Sequence, residues 1–393
     1  MDVQVRLPDI DFARAEAPDL HELIDSTREH GPVVHVRYHG QVAVLITSYR
    51  AVRAAFADEE HFASQAFYQV HVEPSQGRTL QAMAGDEHRR NRGLVSRSFV
   101  PRRVAGYVAG VITEEAVRSV EALAGDASVD LVERFARPFP FAVITRLLGL
   151  PVEDQTRFLE WALKLIEYPW DPEGALRARR EFTDYLKPVL DRRREEPGDD
   201  VLSILATAEV DGERLDDEEI FAFCRLLFPA GSDTAYKNLG SLLAAILTTP
   251  GMRERARGSD QDRDDLVQEG LRLHPPVALQ PRTCSQDTEL AGVKILAGTP
   301  MLFGIHAANR DASVFPDPHR FDPDRPNHGQ HLSFGYGEHF CLGSHLARRE
   351  LEMAIKVLFE RFPDMELEPG REVVFSQCVI RGPRDLWVRP EPH

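Results

Sequence analysis

Long apolar runs are missing from this chain: nowhere do about 18 consecutive apolar residues occur, so no membrane-spanning segment is expected. Cysteine is scarce. Four in 393 residues are too few for a disulfide framework and point to a reducing compartment. Basic charge is also short, with 47 Lys and Arg against 63 Asp and Glu for a net charge of −16. Such a chain is a poor partner for a phosphate backbone, so nucleic-acid binding is not expected. No repeat and no Gly/Ser or Pro-rich linker is visible, which favours a single domain over residues 1–393. Residues 1–20 carry acids and prolines where a secretory signal needs an apolar core, and a cytoplasmic location is expected. No G-x-G-x-x-G unit opens a dinucleotide fold. What is present is an ordinary globular balance, 42% hydrophobic and 28% charged, which excludes disorder.

The pattern is mainly α with small β-sheets. Val33–Tyr38 and Val42–Thr47 are β-rich around His39-Gly40 and predict a hairpin, so one β-rich part is near 33–47. Helical periodicity fills roughly 100–275. The polar stretches Arg192–Asp200 and Arg253–Asp265 predict loops. A second β-rich part is expected near 288–305 and a last hairpin near 373–388. Between them, Asn309–Gly337 is dense in Pro, Asp, Asn and Gly. Proline excludes a helix or central strand there, and so long an irregular segment is usually functional.

The strongest local signal is FGYGEHFCLG, Phe334–Gly343. Gly335, Gly337 and Gly343 frame Cys341 and let backbone approach a ligand closely. Leu342, Leu346, Leu351, Ile355, Leu358 and Phe362 then fall on one helical face, which puts Cys341 at a helix N-terminus, where a thiolate is favoured. Such a thiolate is a metal ligand or a nucleophile. His331, His339 and His345 lie nearby, but the paired spacing of a zinc site is missing. Cys224, Cys284 and Cys378 read as small buried hydrophobes.

Phe334, Gly337, Cys341 and Gly343 together resemble the F-x-x-G-x-x-x-C-x-G haem loop of the cytochrome P450 family. The resemblance implies a mainly helical cytochrome P450 fold with a long kinked helix over the haem. It also implies haem b, iron protoporphyrin IX, with Cys341 as the ligand of its iron and Phe334, Gly335 and Gly343 lining the group. Thiolate donation favours O–O cleavage.

Further elements follow in the family's order. Glu269 and Arg272, three apart on one helical face before His274-Pro275-Pro276, resemble its E-x-x-R pair. Arg325 in the irregular segment matches the third member, and the implied role is structural. The helical pattern from Asp216 to Thr249 opens with a capping arrangement of Asp216 and Glu219. Its ~32 residues span roughly 48 Å. Pro229 predicts that it bends or opens midway. AGSDT, just after, resembles the family's oxygen-groove motif. Ala230 then borders the haem, Thr234 hydrogen-bonds the oxygen-bearing side and Asp233 delivers protons; the threonine usual next is Ala235 here. His88 and Arg92, four apart, match an H-x-x-x-R propionate pair, with Arg282 and His339 as further propionate contacts.

The resemblance also suggests a substrate pocket in the loop Phe62–Met83, with Phe67, Tyr68, Val70 and Met83. Leu227, Val277, Leu279, Val379 and Ile380 complete it. The set is apolar, so a hydrophobic or amphipathic small molecule is expected. Electrons are expected from a ferredoxin and an NAD(P)H-dependent ferredoxin reductase, steered by Arg97, Arg102, Arg103, Arg348 and Arg349. The expected activity is a monooxygenase that hydroxylates or epoxidises. A haem-thiolate peroxygenase and a non-enzymatic haem sensor remain as alternatives.

Overall fold

The structure, a computed structural model, describes residues 10–13, 16–210 and 212–391. Its centre is one helix, Asp217–Thr248. Asp216 accepts from the Glu219 N–H and the Glu219 carboxylate from the Asp216 N–H, each at 2.8 Å, which is the reciprocal cap the sequence predicts. Beyond that cap nearly every face is buried, from Ile220 to Ile246. A helix apolar all round belongs inside a protein.

The predicted opening at Pro229 does not appear: residues 217–248 are helical without interruption. Pro229 removes one N–H, at a cost of roughly 3 kcal/mol. Packing outweighs it, because helix Pro138–Leu147 lies directly alongside. A Cβ on Gly231 would come within 2.8 Å of Ile144 Cδ1, so glycine there permits the close approach.

The helices Pro101–Tyr107, Thr113–Glu121, Asp260–Leu273 and Ser344–Arg361 are among those that build the main core with it. One predicted loop, 253–265, is largely helical, and the other, 192–200, begins in a helix and then turns irregular. Helix Pro172–Glu195 runs through Arg192, and Arg253–Asp265 contains helices Met252–Ala256 and Asp260–Leu273 split by a short turn. Their charges lie on solvated faces, which a polarity count cannot distinguish from loops. Ser259 caps the second of these helices reciprocally with Asp262.

Opposite the helices lies a four-stranded sheet. Val33–Tyr38 pairs antiparallel with Gln41–Ile46 through the predicted turn. Gln41–Ile46 runs parallel to Pro300–Gly304, which pairs antiparallel with Leu279–Thr283. The Thr288–Leu290 and Val293–Ile295 hairpin completes the second β-rich part.

The closing hairpin is a correction. Phe375–Ser376 pairs with Gly382–Pro383, but Trp387–Arg389 leaves it to lie between Glu366–Leu367 and Val129–Asp130. The left-handed Gln377 (φ 65°) lies in the turn that joins the two short strands. Among the described residues no helix is long and apolar enough to cross a membrane.

Candidate active site

Cys341 lies just before helix Ser344–Arg361, with Gly343 at the N-cap position. Its N–H donates to the Phe334 carbonyl at 2.9 Å, which closes the loop on itself. Gly337 takes φ 79°, and a Cβ there would stand 2.8 Å from the Phe56 carbonyl oxygen. Only glycine meets both constraints. The N–H groups of Gly343 and Ser344 aim at the sulfur and, with Arg92, draw its pKa down; burial, the larger influence, pushes it up. Cys341 is nonetheless accessible, while Cys224, Cys284 and Cys378 are buried. An accessible sulfur with protein packed around it sits in a recess.

Four cationic or imidazole groups share that recess. The His339 ring is 4.3 Å from the His88 ring. Its pKa is pushed down to about 3, by burial first and then by His88, Arg282 and Arg92. Arg92, whose own neighbour is Cys341, donates to the Phe340 carbonyl at 2.6 Å. Helix Gly85–Ser96 puts His88 and Arg92 on one face, and the sheet places Arg282 opposite Met301. Glu59 Oε2 stands 3.7 Å from His339 Nε2. His88 Nε2 is buried without a partner. A buried imidazole nitrogen is costly to leave unmatched, so this recess suits carboxylates, as carried by a haem. The residues fit that group.

Behind the loop, Glu269, Arg272 and Arg325 meet in the core. Arg325 Nε lies 3.5 Å from Glu269 Oε1, and the Asp322 N–H donates to the same oxygen at 2.9 Å. Arg272 donates onward to the carbonyls of Asn309 and Pro318 at 2.8 Å and Arg320 at 3.0 Å. The irregular segment therefore satisfies its backbone through these guanidinium groups. Asn309, missed in the sequence, extends the chain of contacts. Its Oδ1 accepts from the Leu332 N–H at 2.8 Å, and its Nδ2 donates to Ser333 Oγ at 2.9 Å. No local spacing marks it.

On the long helix, Thr234 Oγ1 donates to the Ala230 carbonyl at 2.7 Å, which leaves its lone pairs as acceptors. Ala230 is exposed and Asp233 buried. Burial pushes the Asp233 carboxyl up; Lys237, Tyr236 and Arg137 oppose it. Tyr236 and Lys237 were also missed, although their spacing from Asp233 could have found them.

The pocket candidates scatter. Phe67, Tyr68, Leu279 and Val379 share one cluster. Met83 and Leu227 belong to the main core, and Val277 to a third cluster, bridged to Ile380. Val70 is 62% exposed and joins none of these groups. The segment Phe62–Met83 is helical rather than a loop, with helices Ser64–His71 and Glu73–Gln76. Of the basic residues, Arg97, Arg102, Arg103 and Arg349 are exposed, and Arg349 pairs with Glu352 at 2.6 Å.

This fold and cysteine-centred recess define a haem-thiolate class. The solved structure of CYP109Q5 from Chondromyces apiculatus, a cytochrome P450, superposes with a TM-score of 0.88 at 29% identity over 98% of each chain. The cytochrome P450 monooxygenase PikC of Streptomyces venezuelae is 34% identical over 96% of this chain and 92% of its own. The 6-deoxyerythronolide B hydroxylase of Saccharopolyspora erythraea is 35% identical over 94% of this chain and 96% of its own. The cytochrome P450 family profile matches residues 12–259 and 264–383. The chain belongs to the cytochrome P450 family of haem-binding monooxygenases and is an oxidoreductase of that kind.

Proposed function

We propose that the chain, as one catalytic unit, binds haem b through the Cys341 thiolate and inserts one oxygen atom from dioxygen into a hydrophobic or amphipathic small molecule. The observation that carries this reading is the accessible Cys341 sulfur beside His88, Arg92, Arg282 and His339, four donors for two propionates. Bound haem supplies the activation of dioxygen. The protein supplies the rest. Phe334, Gly335 and Gly343 hold the thiolate loop, and Ala230 leaves the helix surface bare where the group approaches. Thr234 would offer Oγ1 to a hydrogen bond on the oxygen-bearing side, and Asp233 would help deliver protons there through water. Glu269, Arg272 and Arg325 keep the loop in register without touching the reactants.

Phe67, Tyr68, Leu279 and Val379 support an apolar substrate, as does the relative named for hydroxylating 6-deoxyerythronolide B. Electrons come singly from a ferredoxin served by an NAD(P)H-dependent reductase, and Arg97, Arg102 and Arg103 favour an acidic partner. A cytoplasmic location fits that supply. The deciding experiment loads the protein with haem, reduces it and adds carbon monoxide. A thiolate-type absorption maximum, lost in Cys341→His, is expected. An imidazole-type maximum in the wild type overturns the assignment.

A further inference from the structure

Lys237 stands three residues beyond Thr234, about one turn farther along the long helix. It is only 8% exposed, and a buried ammonium is costly unless hydrogen bonds replace its water. Its Nζ donates to Gln377 Oε1 at 2.6 Å and to the Ile380 carbonyl at 3.1 Å. Both acceptors belong to one turn, 377–380, which joins the short strands Phe375–Ser376 and Gly382–Pro383.

Those strands pair at two positions only, and a hairpin so short does not hold its own shape. The turn also contains Gln377 in the left-handed region, so it depends on contacts from outside. On the sheet side, the Val379 carbonyl accepts from the Ala278 N–H at 2.8 Å, and the Arg381 N–H donates to the Pro276 carbonyl at 2.7 Å. On the helix side, Lys237 takes the next carbonyl, that of Ile380. The close approach is built into both partners. A Cβ on Gly382 would stand 2.8 Å from Lys237 Cβ, and one on Gly240 would stand 3.0 Å from Pro383 Cγ. The hairpin therefore lies directly on residues 237–240, with the ammonium extended to its turn. That turn carries Val379, which packs with Phe67, Tyr68 and Leu279, and Ile380, which is bridged to Val277.

We propose that Lys237 is a specificity-determining positioning residue: by bracing the turn 377–380 against the long helix, it sets where Val379 and Ile380 stand toward a bound apolar molecule. This rests on the reading of those two residues as substrate contacts. Lys237 acts through the turn and not on the substrate. A braced turn is pre-organised. Without the ammonium, the turn must be ordered when a ligand binds, and that cost is taken from affinity. A ligand too small to reach the turn bears no such cost.

The test compares two iron-binding azoles on the haem-loaded protein, each followed by the shift of the absorption spectrum: imidazole, and clotrimazole, an imidazole that carries three aromatic rings. Lys237→Met keeps the stem and removes the ammonium. Its clotrimazole dissociation constant should rise about 10-fold, the equivalent of one charged hydrogen bond, while that of imidazole should stay within about two-fold. Gln377→Leu removes one of the two acceptors and should weaken clotrimazole about 3-fold. The double variant should be no weaker than Lys237→Met, because both changes act through one contact. A readout that needs no ligand is amide hydrogen exchange: the Ala278 and Arg381 N–H groups should exchange faster in Lys237→Met, while residues 242–246 keep wild-type protection. Val379→Ala tests the underlying reading. Wild-type clotrimazole affinity in that variant shows that the turn does not face the ligand, and the brace falls with the reading. If Val379→Ala weakens clotrimazole but Lys237→Met does not, or if Lys237→Met weakens both azoles alike or leaves both amides protected, the brace is overturned and the reading stands. Should Lys237→Met fail to fold, Gln377→Leu decides alone, and wild-type clotrimazole affinity there overturns the brace.

Discussion

Arg272 grips Glu269 with two parallel hydrogen bonds, Nε to Oε2 and Nη2 to Oε1, both at 2.7 Å and both fully out of solvent. A buried ion pair adds little net stability, but removing one partner strands the other charge. Here the stranded group is also the one that holds the carbonyls of Asn309, Pro318 and Arg320. Glu269→Ala should therefore cost roughly 3–5 kcal/mol in urea unfolding and yield protein that does not retain haem. Wild-type haem content in a folded Glu269→Ala protein would refute the tie between this pair and the Cys341 loop.

Thr234→Ala deletes the hydroxyl next to Asp233 while leaving a good helix former. The long helix should persist by circular dichroism. Electron consumption should continue, with product giving way to peroxide. Equal product per electron in the variant and the wild type would remove Thr234 from the proton path.

His306 is buried and His274 partly buried, and burial, followed by Arg310 and Arg381, holds both pKa values well below the ordinary range. His306 Nδ1 lies 3.0 Å from Arg310 Nη1, and since a guanidinium only donates, that nitrogen is an unprotonated acceptor. The folded chain thus keeps both rings neutral, while the unfolded chain protonates them near pH 6.5. Unfolding then takes up protons, so stability should fall as pH drops below about 6.5 and keep falling toward the depressed folded values. Urea midpoints from pH 8 to 5 measure it. A His306→Gln protein should show a shallower decline, and an identical slope in that variant would exclude His306 as a source.

Glu350, buried in helix Ser344–Arg361, has an unpartnered Oε1 and a pKa pushed up to about 8 by burial. A raised pKa means the folded acid is protonated at neutral pH, whereas the unfolded one is ionised above about 4.5. Its contribution is complete at low pH and lost as pH rises through the folded value. Glu350→Gln should thus gain stability relative to wild type by a few kcal/mol at pH 8 and by little at pH 4. An equal difference at both pH values would show that the carboxyl titrates alike in the folded and unfolded chain.

Much of this was readable along the chain. The Phe334–Gly343 loop, the Glu269–Arg272 spacing, the Asp216–Glu219 cap and the first hairpin each depend on residues within a few positions of one another. Backbone freedom, helical pitch and turn chemistry act at that range. Pro229 marks a weak point in the long helix, but packing keeps residues 217–248 helical through it. The closing hairpin misled because alternation marks a strand without naming its partner: Val388 found Val129, far away in sequence. The pocket candidates fall in separate clusters for the same reason, since an apolar residue fits a core and a cavity equally well.

By itself the sequence marked the groups proposed for the chemistry: a glycine-framed thiol, an acid–alcohol pair, and guanidinium and imidazole groups suited to carboxylates. Only the tertiary structure decided what surrounds them. It set Arg137 over Tyr236, gave Lys237 to Gln377 and Ile380, and used Asn309 to join the buried ion pair to the thiol loop. Side-chain chemistry belongs to each residue, but burial and orientation come from contacts between distant segments, and those exist only after the chain has folded.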